Sequence, residues 1–254
     1  MNALHGAVRA EWTKLWTTRT VWWALITATL LMAAGAAQYA IYAKGGDLSR
    51  DLFEANGLVG PGTIAVMGAS LAQFALIALA TLVMTGEHSS GLIRTTLTWV
   101  PSRGRVLLAK GAVVGATILV AGILLGLLGA GLAIPLLGDR GDVQGGQITS
   151  HALAIGVYLA LIGVLSIGLS AALRGPVASL VSIFVVLVVI PPILTTPDNK
   201  VLNHLAAALP GTAGDHYLRG SSDPYPPAIG LLIVAAWAVA ALLAGWWVMR
   251  RKDA

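Results

Sequence analysis

Six stretches of this 254-residue chain contain no Asp, Glu, Lys, Arg or His: residues 21–41, 63–85, 111–137, 152–173, 177–194 and 228–249. Each is 18 to 27 residues long. At about 1.5 Å of rise per residue, roughly 20 helical residues cross a hydrocarbon core of about 30 Å. Inside that core every backbone N–H and C=O must be bonded within the protein, which leaves helices as the economical solution for such runs. The pattern therefore predicts an all-α integral membrane protein with six transmembrane helices. Composition agrees: 57% of residues are hydrophobic and 11% charged, against roughly 25% charged in a soluble domain. The spans and their loops use nearly the whole length of 21–249, so the sequence offers no separate soluble catalytic domain.

The punctuation between the runs is uneven. Pro135 sits near the end of the long third run and predicts a tilt or break there. Pro191-Pro192 is expected to break the fifth run, and Arg174-Gly175-Pro176 to make the tight turn joining the fourth run to the fifth. In the long loop before the last run, residues 201–209 are expected to form a short helix, turned by Pro210-Gly211, with 221–227 irregular. Gly111/Gly115 and Gly122/Gly126 are small-residue pairs of the kind that let helices approach closely, although such pairs are also common in any glycine-rich membrane helix.

Residues 1–20 precede the first run. Leu4, Val8, Trp12, Leu15 and Trp16 recur at helical spacing, with Arg9, Thr13 and Lys14 off that face. This reads as an amphipathic interfacial helix, with Trp12, Lys14, Trp16 and Arg19 at the headgroup level. A cleaved signal peptide is the alternative: Arg9, Lys14 and Arg19 would be its basic region and residues 33–37 its small-residue cleavage site. The length of the leading helix and the continuation of the apolar run to Ile41 favour an uncleaved span.

Charge sets the expected orientation. Segments 1–20, 86–110, 174–176 and 250–254 hold eleven of the sixteen Lys and Arg, while the other loops hold eight of the eleven acids. The positive-inside rule then places both termini and the 86–110 loop in the cytoplasm. Seven of the eight tryptophans lie on or near that side; Trp237 is mid-span. The net charge of +5 is thus a consequence of topology and does not call for nucleic acid.

Chemistry is sparse. Cysteine is absent, which removes disulfides, thiolate metal sites and cysteine nucleophiles. No G-x-x-x-x-G-K-[ST], H-E-x-x-H or G-x-S-x-G occurs. His204, Asp215 and His216 share a loop, and Asp139 and Asp142 share another. Neither set has a recognisable ligand spacing, and solvated loop residues are the simpler reading. The expectation is no catalytic, cofactor or metal site on this chain. The lack of ionisable groups within the six runs also disfavours an ion-coupled carrier.

The 86–110 loop is the most distinctive polar stretch. Ile93, Leu97 and Val100 follow helical spacing, Glu87 suits a helix start, and Pro101 ends the pattern. The 87–101 segment is expected to be an amphipathic helix that either rests on lipid or inserts Ile93 and Leu97 into a cytoplasmic partner. Arg103, Arg105 and Lys110 are read as topology-setting charges.

E-W-T-K-L-W-T-T-R at 11–19, T-G-E-H-S-S-G-L-I-R-T-T-L at 85–97 with Pro101 and Arg103 following, and L-P-G-T-A-G at 209–214 resemble the ABC-2 type permease subunits of bacterial ABC transporters. His88 replaces an expected aromatic residue. The likeness spans the six-helix layout. It implies a multi-pass subunit of the bacterial plasma membrane, an exporter, paired with a second permease subunit, identical or related. ATP and Mg would be bound by a separate ATP-binding cassette subunit. The N-terminal segment would be an elbow helix, and 87–101 a coupling helix whose Glu87, Ser89, Ser90, Gly91, Ile93, Arg94, Leu97 and Val100 meet the ATPase. The segment before the last span would form short re-entrant helices. The alternatives are a stand-alone secondary carrier or channel, and a non-transporting membrane anchor or assembly protein.

Overall fold

A computed structural model of the chain describes residues 3–46, 57–89, 103–197 and 199–252. Helices make up nearly all of it. In order they are α1 (Ala3–Thr17), α2 (Arg19–Gly45), α3 (Pro61–Ser89), α4 (Arg103–Leu137), α5 (Gly145–Leu173), α6 (Pro176–Phe184), α7 (Ile190–Thr195), α8 (Lys200–Ala207), α9 (Pro210–Arg219) and α10 (Pro227–Lys252). Among the described residues there is no strand, only one isolated parallel bridge between Val59 and Gly141. Six helical segments are long and apolar enough to cross a membrane: Arg19–Gly45, Pro61–Gly86, Gly104–Arg140, Gly145–Leu173, Pro176–Thr195 and Pro227–Arg251. The chain is a multi-pass, all-α membrane protein.

Every span helix outruns its apolar run. Once nucleated, a helix gains a hydrogen bond for each residue added, so it continues until a breaker or an unfavourable contact stops it. The consequence matters for the third span. Its helix starts at Arg103, so Lys110 lies inside it, and His151 likewise lies inside α5. The spans are therefore not free of ionisable residues once their true lengths are known.

The fifth span corrects a second expectation. Pro191-Pro192 does not end it. A π-turn at Val185–Val189 precedes the pair, and helix resumes at Ile190–Thr195 with the prolines in its first turn. Pro191 has no N–H for the Leu187 carbonyl, and its ring would crowd that carbonyl in a regular helix. Widening one turn to i→i+5 removes the clash and places the prolines where a first turn needs no donor. Pro135 similarly stays within α4, two residues from its end. The Arg174-Gly175 corner is tight as expected: Arg174 takes φ 62° and Pro176 opens α6.

The described chain divides into two compact units. One comprises Met1–Val21, Ile77–Thr117 and Ala160–Ala254; the other comprises Trp22–Leu76 and Ile118–Leu159. In the second unit, Ala36, Ala40, Ala43, Val59, Ile64, Ala133 and Leu137 form a small-residue core. Arg140 donates to the Ala43 carbonyl at 3.0 Å. Gly122 and Gly126 are a true packing notch: a Cβ on either would stand 2.8 Å from the Cα of Gly156 or Ala152.

In the first unit one close helix approach is at Gly168 and Gly245, on α5 and α10. A Cβ at Gly168 would lie 2.5 Å from Leu242 N, and one at Gly245 2.5 Å from the Gly168 carbonyl oxygen. Gly168→Leu is expected to push these helices apart and to lose about 1–3 kcal/mol, the usual range for overpacking. Gly111→Leu is the contrast, because its nearest neighbour is a flexible Leu242 methyl at 3.8 Å. Thermal unfolding of the detergent-purified variants compares them, and equal midpoints would remove the notch as a structural determinant.

Candidate functional site

The stretch with the sharpest sequence pattern is largely outside the described residues. Ser90, Gly91, Ile93, Arg94, Leu97 and Val100 all fall there. Glu87 and Ser89 belong to the last turn of α3, which runs through Ser89. Glu87 is therefore a C-terminal residue of the second-span helix, and does not begin a new one. The apolar run carries no stop signal at Thr85, and the helix continues through Ser89.

What the structure does describe is the foot of this stretch. Lys110, on α4, is 2% exposed, and Glu11, on α1, is 6% exposed. Lys110 Nζ donates to Glu11 Oε2 at 2.5 Å. Lys14 Nζ donates to Glu11 Oε1 at 3.2 Å from a side chain 44% exposed. One carboxylate thus accepts from two ammonium groups. The first contact joins residues 99 positions apart and fastens α1 to the base of the third-span helix. Two charges removed from water are retained only if they are paired and hydrogen-bonded, and this geometry satisfies both oxygens of Glu11.

The contact also redraws α1. Glu11 and Leu15 are its buried face, while Trp12 is 48% exposed and meets Trp16 edge-to-face at 5.7 Å between ring centroids. The expected single stripe of Leu4, Val8, Trp12, Leu15 and Trp16 is split: Leu15 points to protein and Trp12 away from it. Arg19 is exposed and opens α2, because Thr18 alone interrupts the two helices. The Thr18 hydroxyl donates to the Lys14 carbonyl at 2.8 Å, closing the last turn of α1.

Glu11 was not singled out by pattern. A signal was present: it is the one acid in a leading helix that otherwise carries Arg9 and Lys14, and it stands one turn before a leucine. An acid on the core side of a basic helix requires a buried cation, and Lys110 is that cation.

A second feature lies in the loop before the last span. The expected helix at 201–209 is present as Lys200–Ala207, with the Asn199 side chain accepting from Val201 N at 2.9 Å. Pro210-Gly211 then starts a further helix, α9, where only a turn was expected. Proline is suited to the first helical position, and Gly211 permits close contact: a Cβ there would overlap the Leu187 carbonyl. That is the carbonyl to which neither Pro191 nor Pro192 can donate. The Trp237 indole N–H donates to the Ala208 carbonyl at 2.9 Å, and the Tyr225 hydroxyl donates to the Ala207 carbonyl. Burial raises the Tyr225 phenol pKa above its ordinary value, so it stays a donor.

Helix C-terminal carbonyls lack intrahelical partners. Here two of them are met by aromatic donors. Trp237 lies about 15 Å along α10 from Pro227, so the α8–α9 corner folds back to mid-span level. Trp237→Phe is expected to leave the Ala208 carbonyl without this donor and to lose about 1–3 kcal/mol. Unfolding midpoints check it, and an unchanged midpoint would mean that the carbonyl finds another donor.

Several other polar side chains have partners. The Tyr158 hydroxyl donates to Gln73 Oε1 at 3.0 Å, linking α5 to α3. Asp215 pairs with Arg219 at 2.7 Å, the His204 Nδ1 lies 2.6 Å from the Lys200 carbonyl oxygen, and His216 meets the Tyr225 ring. Asp142 accepts from Gln144 at 2.8 Å. Among the described residues no three His, Cys, Asp or Glu gather in a way that would hold a metal ion.

The geometry defines a class: a multi-pass helical membrane protein with a charged tie at one end of its spans and a short helical hairpin folded against the last. No protein-family model matches the chain, and no curated protein matches it.

Proposed function

We propose that this chain is the membrane-spanning permease subunit of an ATP-driven ABC transporter of the ABC-2 type, an exporter in the bacterial plasma membrane. In this reading 87–101 docks on a separate ATP-binding subunit that carries ATP and Mg. A second permease subunit completes the pathway. Both termini face the cytoplasm, α1 is the interfacial elbow, and α8–α9 are the re-entrant pair.

The observation that carries the reading is the Glu11–Lys110 tie. Lys110 follows the proposed docking stretch within the same helix that begins at Arg103. A displacement of that stretch by a partner would move α4, and through the buried ion pair it would move α1 as well. A docking element is useful to a transporter only if such a rigid connection exists. The α8–α9 hairpin folded to mid-span level adds support. So do Arg250 and Arg251, which stack over Trp246 and Trp247 at 4.9 and 4.0 Å, as basic and aromatic residues do at a cytoplasmic membrane interface.

One observation favours a rival. Lys110 is a buried ionisable group in a span helix, which an ion-coupled carrier would need. It lies about 10 Å from the start of α4, however, and carrier sites are typically near the midplane.

Extraction of the tagged full-length chain in mild detergent separates the readings. Co-purification of a P-loop ATPase is expected. A chain that purifies alone and still moves solute across liposomes would reject the permease assignment.

A further inference from the structure

Within the first unit, between α5, the π-turn and α10, lies a cavity of about 250 Å³. The gap has a cause in the sequence. Trp237, Ala240, Ala241 and Ala244 recur at helical spacing along the α10 wall, and the three alanines are too small to reach across. The walls are also held apart. The Gly168–Gly245 contact fixes α10 on α5, and α9 is a spacer between the π-turn and α10. Gly211 on α9 sits against the Leu187 carbonyl, and a Cβ at Gly230 on α10 would stand 2.5 Å from the Ala213 carbonyl oxygen.

The lining decides the chemistry of an occupant. Leu165, Ile183 and Leu187 are buried and form the inner wall; Trp237, Ala240 and Ala244 are exposed and form the mouth. Among the described residues the Trp237 indole is the one polar group on a lining side chain, and its N–H is donated to the Ala208 carbonyl at 2.9 Å. A charged or hydrogen-bonding ligand would find no partner. The volume is below the range of drug-sized sites, about 300–1,000 Å³, and above the roughly 150 Å³ that holds a benzene ring. One hydrocarbon segment fits it.

Depth identifies the source of that hydrocarbon. Val186, at the π-turn, lies roughly 14 Å from either end of the Pro176–Thr195 span, and Trp237 and Ala240 straddle the centre of Pro227–Arg251. Half of a hydrocarbon core is about 15 Å, so this is the level at which phospholipid acyl chains end. Val239 and Leu243, next to the mouth on α10, are exposed, so the mouth opens on an exposed apolar surface at that level.

We propose that the cavity seats the methyl end of one phospholipid acyl chain. A chain moved from the bilayer into the cavity stays among hydrocarbon, so hydrophobic transfer contributes little. The gain is dispersion contact with walls that would otherwise border a void. A free apolar solute has the same chemistry, but acyl chains already stand at the mouth. The proposal rests on the six-span architecture and not on the permease assignment. Its test involves no ATPase, so each reading fails separately.

The full-length chain is reconstituted in phospholipid vesicles containing a trace of phosphatidylcholine with a diazirine near the methyl end of one acyl chain. After irradiation, adducts are mapped by peptide mass spectrometry. They are expected at Leu165, Ile183 and Leu187 as well as at Val239 and Leu243. A lipid with its diazirine next to the glycerol should label none of the inner three. Ala240→Leu with Ala244→Leu fills the mouth, so adducts at the inner three should be lost while those at Val239 persist and show that the variant is inserted. Leu243→Ala, outside the cavity, should leave the inner adducts unchanged. The wild-type map tests the proposal by itself if the double variant does not insert. Wild-type adducts confined to Val239 and Leu243, or inner adducts that survive the double variant, would overturn the assignment. So would inner labelling by a small phenyl diazirine but not by the lipid, which gives the cavity to free solutes. Absence of labelling at all five positions, as when a second copy of the chain covers the mouth, would overturn it as well.

Discussion

Glu11→Ala should remove about 3–5 kcal/mol of stability, the range for breaking one partner of a buried ion pair. Glu11 itself is a small contribution to the core. The loss comes from Lys110, which would stay 2% exposed and lose the Glu11 oxygen to which its ammonium donates. Most membrane domains cannot absorb a change of that size without a large fall in unfolding temperature, since whole-domain stabilities are themselves about 5–15 kcal/mol. Glu11→Ala combined with Lys110→Met should recover much of the loss, because a thioether of similar length fills the site without a charge to desolvate. Thermal unfolding of the detergent-purified wild type, both single variants and the double variant closes the cycle. If the two single losses simply add in the double variant, Glu11 and Lys110 act independently and the tie has no energetic content.

The span count and the all-α class were legible because periodicity and length report directly on what a bilayer demands. The helix ends were not, because each helix persists until something local stops it. Lys110 shows the cost of this: seen at the edge of an apolar run it resembles a topology signal, and only the extended α4 makes it a buried residue. Glu11 was hidden for a related reason. Its partner is 99 positions away, and no local pattern encodes a contact of that range. The prolines of the fifth span misled for a different reason. A dipeptide that breaks a regular helix is accommodated here by a π-turn at Val185–Val189, and the close approach of Gly211 to the Leu187 carbonyl of that turn is made only by the fold. The packing of Gly168 against α10 was equally invisible, and the spacing that marked Gly122 and Gly126 marked Gly111 alike, although only the former pair meets neighbouring backbone closely.

Ile93→Asp with Leu97→Asp is expected to weaken association with the ATP-binding subunit by at least a hundredfold. Burying each of these side chains contributes about 1.5–3 kcal/mol, so losing both removes roughly 3–6 kcal/mol of binding, and about 1.4 kcal/mol is tenfold. Membrane insertion should be unaffected, because both positions lie outside the six apolar runs. Arg94→Ala should matter less, under about 1 kcal/mol if it pairs at an exposed rim. The comparison that gives this prediction its force is with the charged tie. Glu11→Gln combined with Lys110→Met leaves the docking residues intact, so it should preserve ATPase association, measured by pull-down, while reducing transport in reconstituted vesicles. Docking and transmission then fail separately: the aspartates lose the partner, and the neutralised pair keeps the partner but no longer fastens α1 to α4. Unchanged association in the double aspartate variant would leave 87–101 as a segment resting on lipid. Full transport in the neutralised pair would confine the Glu11–Lys110 contact to stability alone.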